Sequence, residues 1–139
     1  MSRFGGSVNG KLIGVPVQYT YSGSNGSTLA VGMPLCFDTT QATAALRYSR
    51  VTDPTYNNRH EYAGYITKVI NQTTVNVMPG DILMPDAEVL VDELVTPGTL
   101  LGVVPGSRYF GRAVAGRILG IAGETVDGSS TAALCQCIH

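Results

Sequence analysis

Val77-Met78-Pro79-Gly80-Asp81-Ile82-Leu83 and Val95-Thr96-Pro97-Gly98-Thr99-Leu100-Leu101 spell one pattern twice, V-x-P-G-x-[IL]-L. A looser cousin stands earlier, Val31-Gly32-Met33-Pro34-Leu35. Proline fixes φ near its helical value and the following glycine takes a positive φ, which together make a type II turn. The apolar residues after each turn start a strand. Each copy therefore reads as a turn that launches a strand, and the repetition implies a meandering all-β domain.

The rest of the chain fits that reading. Met1 to Lys11 is Gly- and Ser-rich and reads as an extended N-terminal arm, mobile or ordered only against a partner. Leu12 to Tyr21 is strand-like, with Pro16 placing it at an edge or a bulge. Ser22 to Ser27 is a loop with a tight-turn signal at Asn25-Gly26. Leu29 to Asp38 is a strand broken at Met33-Pro34. Thr39 to Arg50 is the one stretch with helical character, one or two turns near residues 40–48, with Thr39 or Thr40 as the cap. Thr52 to Arg59 is a polar loop.

Beyond it, Tyr62 to Ile70 and the cleanly alternating Thr73 to Met78 are strands joined at Asn71-Gln72. Ile82–Leu83, Glu88 to Val91 and Leu100 to Val104 are short strands. Tyr109 to Ile121 is a bent strand, with a short helix over Ala113 to Leu119 as the alternative. Asp127-Gly128 signals a hairpin, and Thr131 to Ile138 closes the chain as a last strand. The expected fold is all-β, a small β-barrel or β-sandwich with short turns. Residues 1–11 form the arm and 12–139 a single β-domain.

Composition narrows the function. At 139 residues and 14.6 kDa the chain has the length of one domain. Area scaling gives roughly 6,900 Å² folded against roughly 21,000 Å² extended, enough burial for a core without staples. Charged residues are 14% of the chain and the net charge is −1, with nine scattered basic residues. Nucleic acid requires clustered Lys and Arg, so it is not an expected partner. No run approaches a membrane span or a signal-peptide core, so no membrane is expected and synthesis is expected in a cytoplasm. So little charge points to a surface covered by self-association or by docking on a larger assembly.

Reactive groups are sparse. Gly5-Gly6-Ser7-Val8-Asn9-Gly10-Lys11 begins like a P-loop but continues with Leu12 where Ser or Thr must follow. Cys135, Cys137 and His139 alternate on one strand face, and with Cys36 they count as Cys₃His, but the spacing is not that of a zinc site. They read as packing side chains, and an odd cysteine count argues against a disulfide framework. His60 lies in a polar loop, and Asp92-Glu93 are adjacent and point to opposite faces of a strand. No nucleophile, base and orienting group come together, so the expectation is no enzyme, no cofactor and no metal.

Tyrosine is the exception, with seven Tyr, three Phe and no Trp. A half-buried ring with a wet hydroxyl suits an interface, and Tyr with Arg most often anchors one. Tyr48, Tyr56 and Tyr62 lie beside Arg47, Arg50 and Arg59, so Arg47 to Tyr62 reads as a contact segment.

The turn-then-strand units at Val31 to Leu35, Pro79 to Leu83 and Pro97 to Leu101, with Arg112-Ala113-Val114-Ala115-Gly116, resemble the capsid decoration, or cement, proteins of tailed bacteriophages. The likeness covers most of the chain. It implies a non-enzymatic virion protein, made in a bacterial host cytoplasm and bound outside the major capsid protein, often as a homotrimer. It also makes the arm from Ser2 to Lys11, with Arg3 and Phe4, a candidate capsid or subunit contact. The alternative is a ligand- or glycan-binding β-domain of a phage fibre or receptor-binding protein, which needs a concave aromatic pocket.

Overall fold

A computed structural model of the protein describes residues 6–8, 11–13, 15–80, 82–113 and 117–138, the first two segments as backbone. The all-β expectation holds, with one short α-helix among the described residues. Near the N-terminus β1 (Gly6–Val8) and β2 (Lys11–Ile13) pair antiparallel, Ser7 opposite Leu12. Part of the expected arm is thus a ribbon that runs across the expected boundary at Leu12.

A closed barrel follows, built from β3 (Val17–Tyr21), β4 (Pro34–Phe37), β5 (Arg50–Thr52), β6 (Tyr62–Asn71) and β7 (Thr74–Met78). Around it the order is β3-β5-β4-β6-β7. β3 pairs antiparallel with β7 and parallel with β5. It is therefore no edge strand. Pro16 stands one residue before it, where a missing N–H breaks no ladder. β6 and β7 form a hairpin whose corner is tied by Asn71 Oδ1, which accepts from the Thr73 N–H at 2.9 Å and its hydroxyl at 3.1 Å. Val75 and Val77 are fully buried between partly exposed neighbours, as the alternation requires.

The second half is a five-stranded sheet of β8 (Glu88–Val91), β10 (Leu100–Val103), β11 (Phe110–Arg112), β12 (Gly120–Ile121) and β14 (Ala133–Gln136), ordered β12-β10-β11-β8-β14. It curls until its outer members meet, and a single bridge between Ala122 and Cys137 joins them. β9 (Leu94–Val95) and β13 (Val126–Asp127) pair separately. Asp127-Gly128 therefore ends a strand paired with a distant segment and makes no local hairpin.

Turns with a positive φ shape both halves. Thr99 N–H bonds the Thr96 carbonyl at 3.0 Å with Gly98 at φ 92°, the turn that Pro97-Gly98 demands. The same closure recurs at 30–33 with Gly32 at φ 97°, at 104–107 with Gly106 at φ 83°, and at 84–87 with Asp86 at φ 68°. The copy at 77–83 behaves differently. Gly80 takes φ 134°, and Ile82–Leu83 is not a strand. Asn25-Gly26 opens a 3₁₀ turn (Gly26–Thr28) in place of a tight turn. In the stretch 113–119, Ala113 and residues 117–119 are irregular, and 114–116 lie outside the described residues.

Each half has its own apolar core. Tyr21, Met33, Leu35, Val51, Ala63, Ile66, Val75 and Val77 fill the barrel. Leu83, Val89, Val91, Val95, Leu101 and Phe110 lead the other core, joined by Cys135 and Cys137. The halves meet where Leu90 N–H bonds the Gly32 carbonyl at 3.0 Å and Gly106 N–H bonds the Pro54 carbonyl at 3.2 Å. Arg108 crosses the same boundary. It donates to Thr28 Oγ1 at 2.5 Å and stands 3.8 Å from Asp53, whose other contacts are Tyr21 Oη at 2.9 Å and Asn25 Nδ2 at 2.7 Å.

Candidate functional site

The contact segment begins at the helix α1 (Ala44–Arg47). Its cap is Thr43, three residues later than Thr40: Thr43 Oγ1 accepts the Leu46 N–H at 3.3 Å. Thr40 is engaged elsewhere, with Asp38. Arg47 Nε donates to the Gln41 carbonyl at 2.8 Å and Ser49 Oγ to the Leu46 carbonyl at 3.2 Å, closing the turn on itself. No residue of α1 is buried. A single turn has no stability of its own and ordinarily depends on packing an apolar face. Here that face, Ala44, Ala45 and Leu46, lies in solvent.

Two devices hold α1 on the barrel. The first is a row of rings, Tyr19 on Phe37 at 5.7 Å and 78°, then Phe37 on Tyr48 at 5.2 Å and 68°, both edge-to-face. Tyr19 and Phe37 are half-buried, and Tyr48 is 54% exposed. The second is Asp38, only 5% exposed. It accepts from Ser22 Oγ and Thr40 Oγ1, each at 2.5 Å, from Thr40 N–H at 3.0 Å and from Gln41 Nε2 at 2.9 Å. Burial raises the carboxyl's pKa, but these donors outweigh it and hold the group at about 2.

The other part of the segment is the loop after β5. Its anchor is Asn58, 3% exposed, whose Oδ1 accepts the Thr55 N–H at 2.6 Å while Nδ2 donates to the Asp53 carbonyl at 3.1 Å. Above this anchor Tyr56 stands 74% exposed. The Arg59 guanidinium lies 5.3 Å from its ring centroid and donates to its carbonyl. An ordered loop thus displays a Tyr–Arg pair.

The structure sorts the sequence candidates. Arg47 and Tyr48 sit before β5, Arg50 is half-buried at its start, and Tyr56 and Arg59 lie beyond its far end. They form two displays separated by a strand. Tyr62 is a correction: it is 8% exposed and packs edge-on against Phe110 at 6.2 Å. It belongs to the core, and burial pushes its hydroxyl pKa well up. Arg3 and Phe4 lie outside the described residues.

Sequence reading missed Leu46, Phe37 and Tyr19, whose role is visible only once three separate segments meet. It also missed an open cleft of about 200 Å³ lined by Ile82, Ile118, Leu119, Gly120 and Ile121. Small-molecule pockets run from about 300 to 1,000 Å³ and bring in polar groups, so this cleft suits an apolar side chain better than a ligand.

Burial pushes the Cys36 and Cys137 thiols up to about 12, so both are protonated at neutral pH. Among the described residues no three His, Cys, Asp or Glu side chains gather as metal ligands, and no helix is long and apolar enough to cross a membrane. His139, the fourth member of the Cys₃His set, lies outside the described residues. Compared with known protein families and with curated proteins, the chain matches none.

Proposed function

We propose that this chain is a structural virion protein that binds the outer surface of a phage capsid and stabilises it by bridging major capsid protein subunits. The observation that carries the reading is the segment from Leu46 to Arg59, which spends ordered structure on holding Leu46, Tyr48, Tyr56 and Arg59 at exposed positions. A clamped loop presents Tyr56 with Arg59, and a one-turn helix presents Leu46 and Tyr48. Exposed Tyr and Arg on rigid supports are the usual anchors of protein interfaces. Low charge and turn-rich β-structure resemble decoration proteins, and a symmetric oligomer on several subunits at once gains affinity through avidity.

The test is to image particles assembled with and without the chain and to heat both. Added density on the outer surface and a higher disruption temperature are expected. Identical particles would refute the reading. A glycan-binding β-domain is the second reading, favoured by the Tyr19–Phe37–Tyr48 row. Saturable hits on a glycan array, lost in Tyr48→Ala, would select it.

A further inference from the structure

The chain carries its charge unevenly. Residues 1–80 hold six Lys and Arg against three Asp and Glu, a net +3; residues 81–139 hold three against seven, a net −4. Among the described side chains the barrel half, residues 15–80, holds four Lys and Arg against three Asp and Glu, and the sheet half, residues 82–138, three against six. Arg47, Arg59 and Lys68 are exposed on the first; Asp86, Glu88, Asp92, Glu124 and Asp127 are exposed on the second, with Arg112 and Arg117 as its exposed cations. Opposite net charge on the two halves favours contact of unlike halves over contact of like halves.

Each end also carries one half of an apolar fit. The barrel end projects Leu46, 37% exposed, and Tyr48. The sheet end has the cleft, whose Ile82 and Ile118 are 52% and 47% exposed. Two carbonyls of the cleft lining are already paired: Leu83 N–H bonds the Leu119 carbonyl at 2.7 Å and Ile138 N–H the Ile121 carbonyl at 2.9 Å. An incoming apolar side chain leaves those two carbonyls paired. Nearby, Asp86 and Glu124 both bond Gln136, at 3.2 and 2.7 Å, and place carboxylates beside this end of the sheet. Arg47, next to Leu46 in α1, is the matching cation.

We propose that α1 of one copy docks in the Ile82–Ile118–Ile121 cleft of the next, with Arg47 brought to the Asp86–Glu124 side. The contact is heterologous, so it builds a ring if the rotation closes and a filament if it does not. This specifies the self-association part of the proposed function and assigns the Tyr56–Arg59 loop to the capsid.

The experiment uses free protein, so its outcome is independent of capsid binding. Sedimentation is measured over a concentration series for the wild type, Leu46→Asp and Ile118→Asp, with circular dichroism as the check on folding. Ile82→Asp replaces Ile118→Asp should that variant unfold. The wild type is expected to self-associate, less so at raised salt. Each variant alone is expected to associate at least about tenfold more weakly. Mixing the two leaves one intact helix and one intact cleft, so a 1:1 dimer that grows no further is expected. A monomeric wild type, a variant that assembles like the wild type, or a mixture that stays monomeric would overturn the proposal. A wild type that is monomeric in solution yet binds capsids would overturn this contact alone.

Discussion

The barrel and the curled sheet solve the same problem with different security. In the barrel every strand is paired on both sides, with register shifts along β4–β6 and β6–β7. In the sheet the two outer strands are joined by one bridge, Ala122 to Cys137. Closed pairing distributes the cost of a lost contact, whereas a sheet closed by one bridge and centred on one large ring, Phe110, concentrates it. Display follows the same division: the barrel carries the aromatic row and α1, and the sheet carries the cleft and most of the acidic residues.

The largest effect is expected at Phe110, fully buried where the second core meets Tyr62 of β6. Phe110→Ala should cost about 3–5 kcal/mol. Hydrogen exchange should show amides of β8, β10 and β14 losing protection well before those of β6 and β7. Equal loss in both halves would mean that the two cores are one cooperative unit.

Asp38→Asn acts on the barrel alone. The folded carboxyl sits at about 2 against an ordinary 3.8, so its ionised form favours folding. That stabilisation is complete above the ordinary value and is lost as pH falls from 3.8 towards about 2. The variant should lose about 2 kcal/mol at neutral pH and show a flatter stability curve below pH 4, read by denaturant midpoints across pH.

Arg108→Ala tests the joint between the halves. It removes the ties to Thr28, the Asn25 carbonyl and Asp53. These groups are only partly buried, so about 1–2 kcal/mol is expected, with a thermal transition that broadens or splits. A sharp single transition shifted uniformly would place the coupling in the Leu90–Gly32 contact instead.

The smallest effect on stability is expected at the display residues. Tyr56→Ala should change stability by less than about 0.5 kcal/mol, since its ring is 74% exposed, and Tyr48→Ala by about 0.5–1 kcal/mol, since it removes one edge-to-face contact with Phe37. On the proposed function, Tyr56→Ala should nonetheless weaken capsid binding in a co-sedimentation assay. Unfolding of either variant would make these rings part of the scaffold.

Much of the barrel was legible because its signals are local. Val75 and Val77 alternate with polar neighbours, and Ala44 to Leu46 favour a helix. Pro97-Gly98 allows little besides its turn. Other features had no local signature. Asp86 occupies a position that glycine usually takes, so no Pro-Gly pair marks that turn. Tyr62 follows Arg59, His60 and Glu61 and looks solvated, yet Phe110 from a distant strand covers it. The two parts of Arg47–Tyr62 are close in sequence, but β5 runs between them. The cleft exists only where the Ile82 loop meets the Ile118–Ile121 segment, a pairing that periodicity does not encode.

The most direct test of the central claim, that these displayed side chains join the protein to a shell, is a cryo-electron microscopy map of particles carrying it. The account predicts density outside the shell with the Tyr56–Arg59 loop against major capsid protein. Particles that bind none of the protein, or a map in which that loop faces open solvent, would contradict it.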